Sequence, residues 1–252
     1  MSAIHDFLTT YLLAVLRFLP TVMLVPLTPL RWAPGLVRIA LLMLLAWLAT
    51  ALMSAPVGLQ GAAEWISAIC AELLIGTAFG LAVMLPNAAL HTAGWVLDVQ
   101  AGSSAGVLFD PGSQSDTQAV FGTALMLVAT ALFFVLDLHL QLYRMLAVSI
   151  QLAPLGRGGA QLQWDGLAGL LGQSFLLGFA VVLPVILGLL LVDVGVAYAT
   201  RSMPQANVYF LALPLKLLVA VGLLVATLPF VPVLFARLFR DAYARVPGLL
   251  GG

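Results

Sequence analysis

Three charged residues stand where chemistry could begin. Arg17, Glu72 and Asp193 each lie within or beside a long apolar stretch. Ionisable groups inside membrane segments are rare and point by default to ion pathways or counter-ions. The alternative for each is a place near a helix end, where a side chain snorkels to water. The three histidines do not cluster: His5 is terminal, His91 follows Pro86, and His139 sits beside Asp137. Asp137 and His139 are two apart and so point in different directions on a helix, which favours a capping or interfacial role over catalysis. The chain has no HExxH, no P-loop and no GxSxG. Asp98, Asp110 and Asp116 have no basic neighbour, and carboxylates alone at this spacing do not define a metal site. The lone Cys70 excludes an internal disulfide and a multi-cysteine metal centre, and reads as a small buried hydrophobe. No catalytic residue, metal or cofactor is expected.

Composition decides what must position these residues. Hydrophobic residues make up 63% of the 252 and charged residues 8%, against roughly 45–50% and 25% in a soluble domain. Mean hydropathy is +1.13. So few polar side chains cannot cover a folded surface in water, which excludes a soluble enzyme and a disordered chain. Net charge is zero, and the ten basic residues are nine arginines and Lys216. An electrostatic nucleic-acid binder is excluded with them, and the chain is expected in lipid or inside a larger assembly. No basic region precedes the first apolar stretch, so insertion is expected to use the apolar segments themselves.

Charges bracket those segments. Residues 39–63 and 73–97 are runs of 25 uncharged residues, 117–136 and 217–236 of 20, and 166–192 of 27. About 20 apolar residues cross a ~30 Å hydrocarbon core as a helix. A sixth run, 7–27, contains Arg17, at a cost of about 2.5–3.5 kcal/mol that its Leu, Val and Phe neighbours can offset. No run alternates like a membrane β-strand. The expected fold is an all-α membrane protein of about six hydrophobic helices. Orientation conflicts with this count. Arg31 and Arg38 follow the first helix and Arg237, Arg240 and Arg245 lie in the tail, so both regions favour the cytoplasm, yet six spans would separate them.

Proline offers a resolution. Pro20, Pro26, Pro29, Pro86, Pro184, Pro229 and Pro232 fall at or inside the runs. Interior proline removes a backbone bond and kinks or breaks the helix. Several helices are therefore expected to be proline-broken into bent hairpins that face protein or a wet cavity. A weak echo between residues 81–86 and 179–184, each ending Leu-Pro, fits a repeated hairpin.

Two polar stretches remain. Residues 100–118, QAGSSAGVLFDPGSQSDTQ, hold three glycines, four serines and one proline between apolar runs. Gly, Ser and the Asp-Pro-Gly triplet make turns and loops. Beside the plain surface loop stands a second reading: Val107, Leu108 and Phe109 form an apolar tip on pliable arms, which suits a stopper in a narrow pore. Residues 201–216 place Gln205 and Asn207 between Pro204 and Pro214, a re-entrant turn packed on partner chains or an exposed loop.

In this order the motifs resemble the FliR/SctT family, the export-gate subunit of flagellar and injectisome type III secretion systems. The likeness rests on Thr92-Ala93-Gly94 running into Gln100-Ala101-Gly102-Ser103 and Phe109-Asp110-Pro111, on the apolar run ending at His139, and on Arg201 to Val208 followed by Leu213-Pro214-Leu215-Lys216. Trp95 stands where the family often has an acidic residue. The resemblance implies a single membrane domain over 1–252, with 99–118 as a plug-like loop, in the bacterial inner membrane. Gln100, Gly102, Gly106, Val107, Leu108, Phe109, Asp110 and Pro111 would form the plug. Pro204, Gln205, Asn207, Pro214 and Lys216 are candidates for packing between subunits. The implied partners are FliP-like and FliQ-like subunits, FlhB-like and FlhA-like export components, and exported proteins in transit. A self-contained transporter, with Glu72 or Asp193 binding a cation near Pro86 and Pro184, is the rival from another class.

Overall fold

The computed structural model describes residues 2–23, 33–51, 57–59, 61–102, 120–156, 164–202 and 208–249. Every regular element among them is helical: α1 Ser2–Met23, α2 Gly35–Ala51, α3 Ala62–Ala101, α4 Val120–Val135, α5 Leu138–Leu152, α6 Trp164–Ser202, α7 Val208–Thr227 and α8 Val231–Leu249. A 3-10 turn, Leu228–Phe230, separates α7 from α8. Four helical stretches are long and apolar enough to cross a membrane, or five if the bent pair α4–α5 counts as one. The expected span over 39–63 is corrected: α2 has 17 residues, and 57–59 are not helical. Pro56, Gly58 and Gly61 stand in that half of the run and disfavour a continuous helix.

Other helices are longer than their apolar runs. α3 has 40 residues and α6 has 39, each about 60 Å at ~1.5 Å per residue, twice a ~30 Å hydrocarbon core. Their prolines do not break them. Pro20, Pro86, Pro184 and Pro214 all lie inside continuous helices. Burial on the flanking turns holds the geometry despite one missing backbone bond at each: Ala82 and Val83 before Pro86, Val182 and Val185 around Pro184. Pro229 does interrupt its run, within the 3-10 turn. The sharp bend falls elsewhere, at Asp137, where α4 and α5 meet at 64°. Asp137 is left-handed, φ 54°, a conformation that Asp reaches more readily than most residues. Its N–H donates to the Phe134 carbonyl at 3.2 Å and its carbonyl accepts the first bonds of α5.

The chain divides into two units. The first comprises 1–86, 133–173 and 239–252; the second comprises 87–132 and 174–238. In the first, α1 buries Thr9, Thr10, Leu13, Ala14, Arg17, Phe18 and Thr21, the spacing of one helical face. The two upper threonines are satisfied by the carbonyls of His5 and Asp6, each at 2.8 Å. α1 meets α2 through Tyr11, whose hydroxyl lies 2.9 Å from Met43 Sδ, and through Phe7 packed edge-on against Trp47. It meets α3 at Gly76, where a methyl would collide with the Arg17 carbonyl.

One ion pair ties this unit together. Arg17 and Glu72 are 0% and 1% exposed, and Nε donates to Oε2 at 2.5 Å. Arg17 Nη1 donates to the carbonyls of Ser149 and Ala153, at 3.1 and 2.8 Å, so the guanidinium also closes the C-terminal end of α5. The Ser149 carbonyl also accepts the Ala153 N–H at 2.9 Å, and both carbonyls stand at the negative pole of a helix, where a cation is favoured. Glu72 Oε1 accepts the Gly156 N–H at 3.0 Å. Gly156 is left-handed, φ 76°, and a methyl there would strike Val57. Neither charge sits at a helix end. Replacing Arg17 with Met while Glu72 remains would leave an unpaired buried carboxylate, at a cost of about 3–5 kcal/mol. The thermal midpoint of the membrane-extracted protein should fall accordingly; an unchanged midpoint would refute this account of the core.

Candidate functional site

The second unit contains the base of the segment singled out in the sequence. Residues 103–119 lie outside the described set, and with them Gly106, Val107, Leu108, Phe109, Asp110 and Pro111. Both ends of the segment are described. α3 stops at Gly102, which is left-handed at φ 74° and donates its N–H to the Val99 carbonyl at 3.2 Å. A glycine there is favoured by its φ, while the Leu213 Cδ2 that a methyl would meet at 2.9 Å is the end of a flexible side chain. One turn earlier, Asp98 is 3% exposed. Its two carboxylate oxygens accept the N–H groups of Phe121 and Gly122 at 2.9 and 2.8 Å. These are orphan donors of the first turn of α4, at the positive pole of that helix.

Asp98 therefore does from a distance what a capping side chain usually does locally. Ala119, the residue before Val120, has no side-chain acceptor, and Asp98 supplies two. Close approach makes the bond reachable. A methyl on Gly94 would come within 2.6 Å of the Gly122 Cα, so α3 and α4 touch through bare backbone one turn before the carboxylate. α3 packs on α6 in the same way, with Gly178 against Ala89. The ends of 103–119 are thus held by a glycine stop, a bidentate carboxylate and a glycine–glycine contact. Gln100 and Trp95 are exposed beside this base.

The remaining candidates disperse. Pro204, Gln205 and Asn207 fall outside the described residues. Pro214 lies within α7. Lys216 pairs with Asp193 of α6 inside the chain, its side chain 15% exposed. Glu72 and Asp193, expected from the sequence as intramembrane charges or snorkelling groups near helix ends, each have a basic partner from another helix. Sequence reasoning looked for a base near Asp98, whereas the carboxylate holds backbone N–H groups. Among the described residues no group of three His, Cys, Asp or Glu could hold a metal ion.

The profile of the bacterial export proteins, family 1, matches residues 8–242. The chain belongs to this family. The flagellar biosynthetic protein FliR of Escherichia coli K12 is 27% identical over 243 residues, 94% of this chain and 91% of that protein. FliR of Bacillus subtilis 168 is 27% identical over 259 residues, 99% and 98% of the two chains. The Yop proteins translocation protein T of Yersinia pestis is 30% identical over 159 residues, 61% and 60%. The FliR/SctT resemblance of the sequence is borne out, with names for flagellar biosynthesis and for Yop protein translocation both among the relatives of this export protein.

The clamp makes a local demand. Replacing Asp98 with Ala removes two hydrogen bonds to a charged acceptor, each worth about 1.5–3 kcal/mol. Amide exchange at Phe121 and Gly122 should accelerate by at least about tenfold, the equivalent of ~1.4 kcal/mol. Replacement with Asn, which keeps one acceptor oxygen, should fall between. Wild-type protection in the Ala variant would show that the clamp does not hold the turn.

Proposed function

We propose that this export-family chain is a non-enzymatic subunit of a type III secretion export gate, helping to form and plug the inner-membrane channel for protein export. The observation that carries the reading is the family match over 8–242, joined to relatives named for flagellar biosynthesis and for secretion. Unfolded substrates would pass through the assembled gate, driven by other components. Its partners would be FliP-like and FliQ-like subunits, with FlhB-like and FlhA-like components close by.

The surface of the chain supports a need for partners. The most apolar windows of α6 and of α7–α8 are only 28% and 11% buried. Leu176 at 75% exposed and Leu218 at 71% need lipid or another protein against them. The stretch from Pro204 to Lys216 would pack between subunits. The rival transporter reading loses its cation sites, since Glu72 and Asp193 are each matched by a cation of the same chain.

Within the gate, 99–118 would be the plug. The Asp98 clamp supports this role because it fixes where the arms begin, while Gly and Ser between them supply compliance and Val107, Leu108 and Phe109 the dry tip. Deleting 106–112 should let the assembled gate conduct ions at rest while its subunits still co-purify. Resting conductance equal to the intact gate would remove the plug from the account.

A further inference from the structure

α5 is a short helix held at its two ends and loosely packed along one side. At its start is the Asp137 bend, with a left-handed residue and no side-chain cap. At its finish Arg17 holds the Ser149 and Ala153 carbonyls, and Glu72 holds Gly156 just beyond. Between these points a groove of ≈ 300 Å³ runs beside the helix, bounded by Phe18, Leu45, Leu48, Tyr143, Ile150 and Gln151. The groove is open along one side, and its volume is about ten times the ~30 Å³ share of one water. A smaller space of ≈ 30 Å³ adjoins Leu45, Tyr143 and Leu146 from the other side and reaches His139.

Polar satisfaction is incomplete at both ends of this helix. Arg17 Nη2 at the finish and His139 Nδ1 near the start are buried with no hydrogen-bond partner among the described residues. An unsatisfied buried donor or acceptor costs about 1–3 kcal/mol, so the observed placement of α5 is held by a latch that is not fully saturated. Packed elements move by small sliding between discrete arrangements when space and a releasable contact are both present. α5 has both.

We propose that α5 is a latched lever: it pivots at Asp137, is held at Ala153 and Gly156 by Arg17 and Glu72, and slides into the groove beside α2 when that hold opens. The lever rests on the export reading, because its motion is assigned to the working cycle of the gate. The pair that latches it is directional. The cation must come from α1, since it serves carbonyls, and the anion from α3, since it serves an N–H. Exchanging the two side chains would put like partners together at both ends.

The test locks the lever in the assembled complex. Leu48→Cys and Ile150→Cys, which line the groove from α2 and α5, are introduced with Cys70→Ser in cells lacking the native gene. They are joined by a short thiol cross-linker that a reductant cleaves. Export of a secreted reporter should fall at least about tenfold on cross-linking and return on reduction, with co-purification of the complex unchanged throughout. Ala49→Phe, which fills the groove without a cross-link, should slow export in the same direction. Wild-type export from the cross-linked complex would overturn the lever and leave the export reading standing. Failure of the reduced protein and of the native chain alike to restore export would remove the export reading, and the lever with it.

Discussion

A full charge in an apolar helix must be met by an opposite charge at close range, and the first unit is organised around that demand. Arg17 alone in α1 would cost about 2.5–3.5 kcal/mol to insert, and Glu72 alone in α3 would be as unwelcome. Facing each other, they share one short hydrogen bond, and Arg17 Nη1 and Glu72 Oε1 bond backbone groups while Arg17 Nη2 has no partner among the described residues. Such a pair contributes little net stability over an apolar substitute of the same shape. What it adds is position, since four separate segments converge on it: α1, α3, the end of α5 and the turn at Gly156.

The same constraint explains how the sequence was read and where the reading stopped. Fold class was open to inspection because apolar content and run length leave helices in lipid as the only outcome. Element boundaries were not, because a charge in an apolar run marks a helix end only when nothing elsewhere in the chain neutralises it. Glu72 lies well inside α3, Asp98 in its last turn, and Asp193 inside α6. Each is neutralised or bonded by a residue from 23 to 84 positions away, and spacing within one chain segment carries no trace of such a partner. Pro86 and Pro184 misled for a related reason: the local penalty is real, and burial on either side outweighs it.

At the loop base the division is similar. The Gly and Ser content of 100–118 and the glycine at 102 were visible as types suited to a turn. The anchoring of its far end was not, since it depends on two helices touching at Gly94 and Gly122. A glycine in a membrane helix is common enough that neither residue announces the contact by itself. The family match then supplies what geometry cannot, membership of a class of bacterial export proteins.

Lys216 has a consequence of a practical kind. It is the sole lysine in the chain, and its ammonium is mostly enclosed and tied to Asp193. Amine-directed reagents, whether ester cross-linkers for proteomic mapping or fluorescent labels, would find little to react with on this side chain. A distance map of the surrounding apparatus made with such reagents would carry few links through this lysine, even if the subunit stood at the centre.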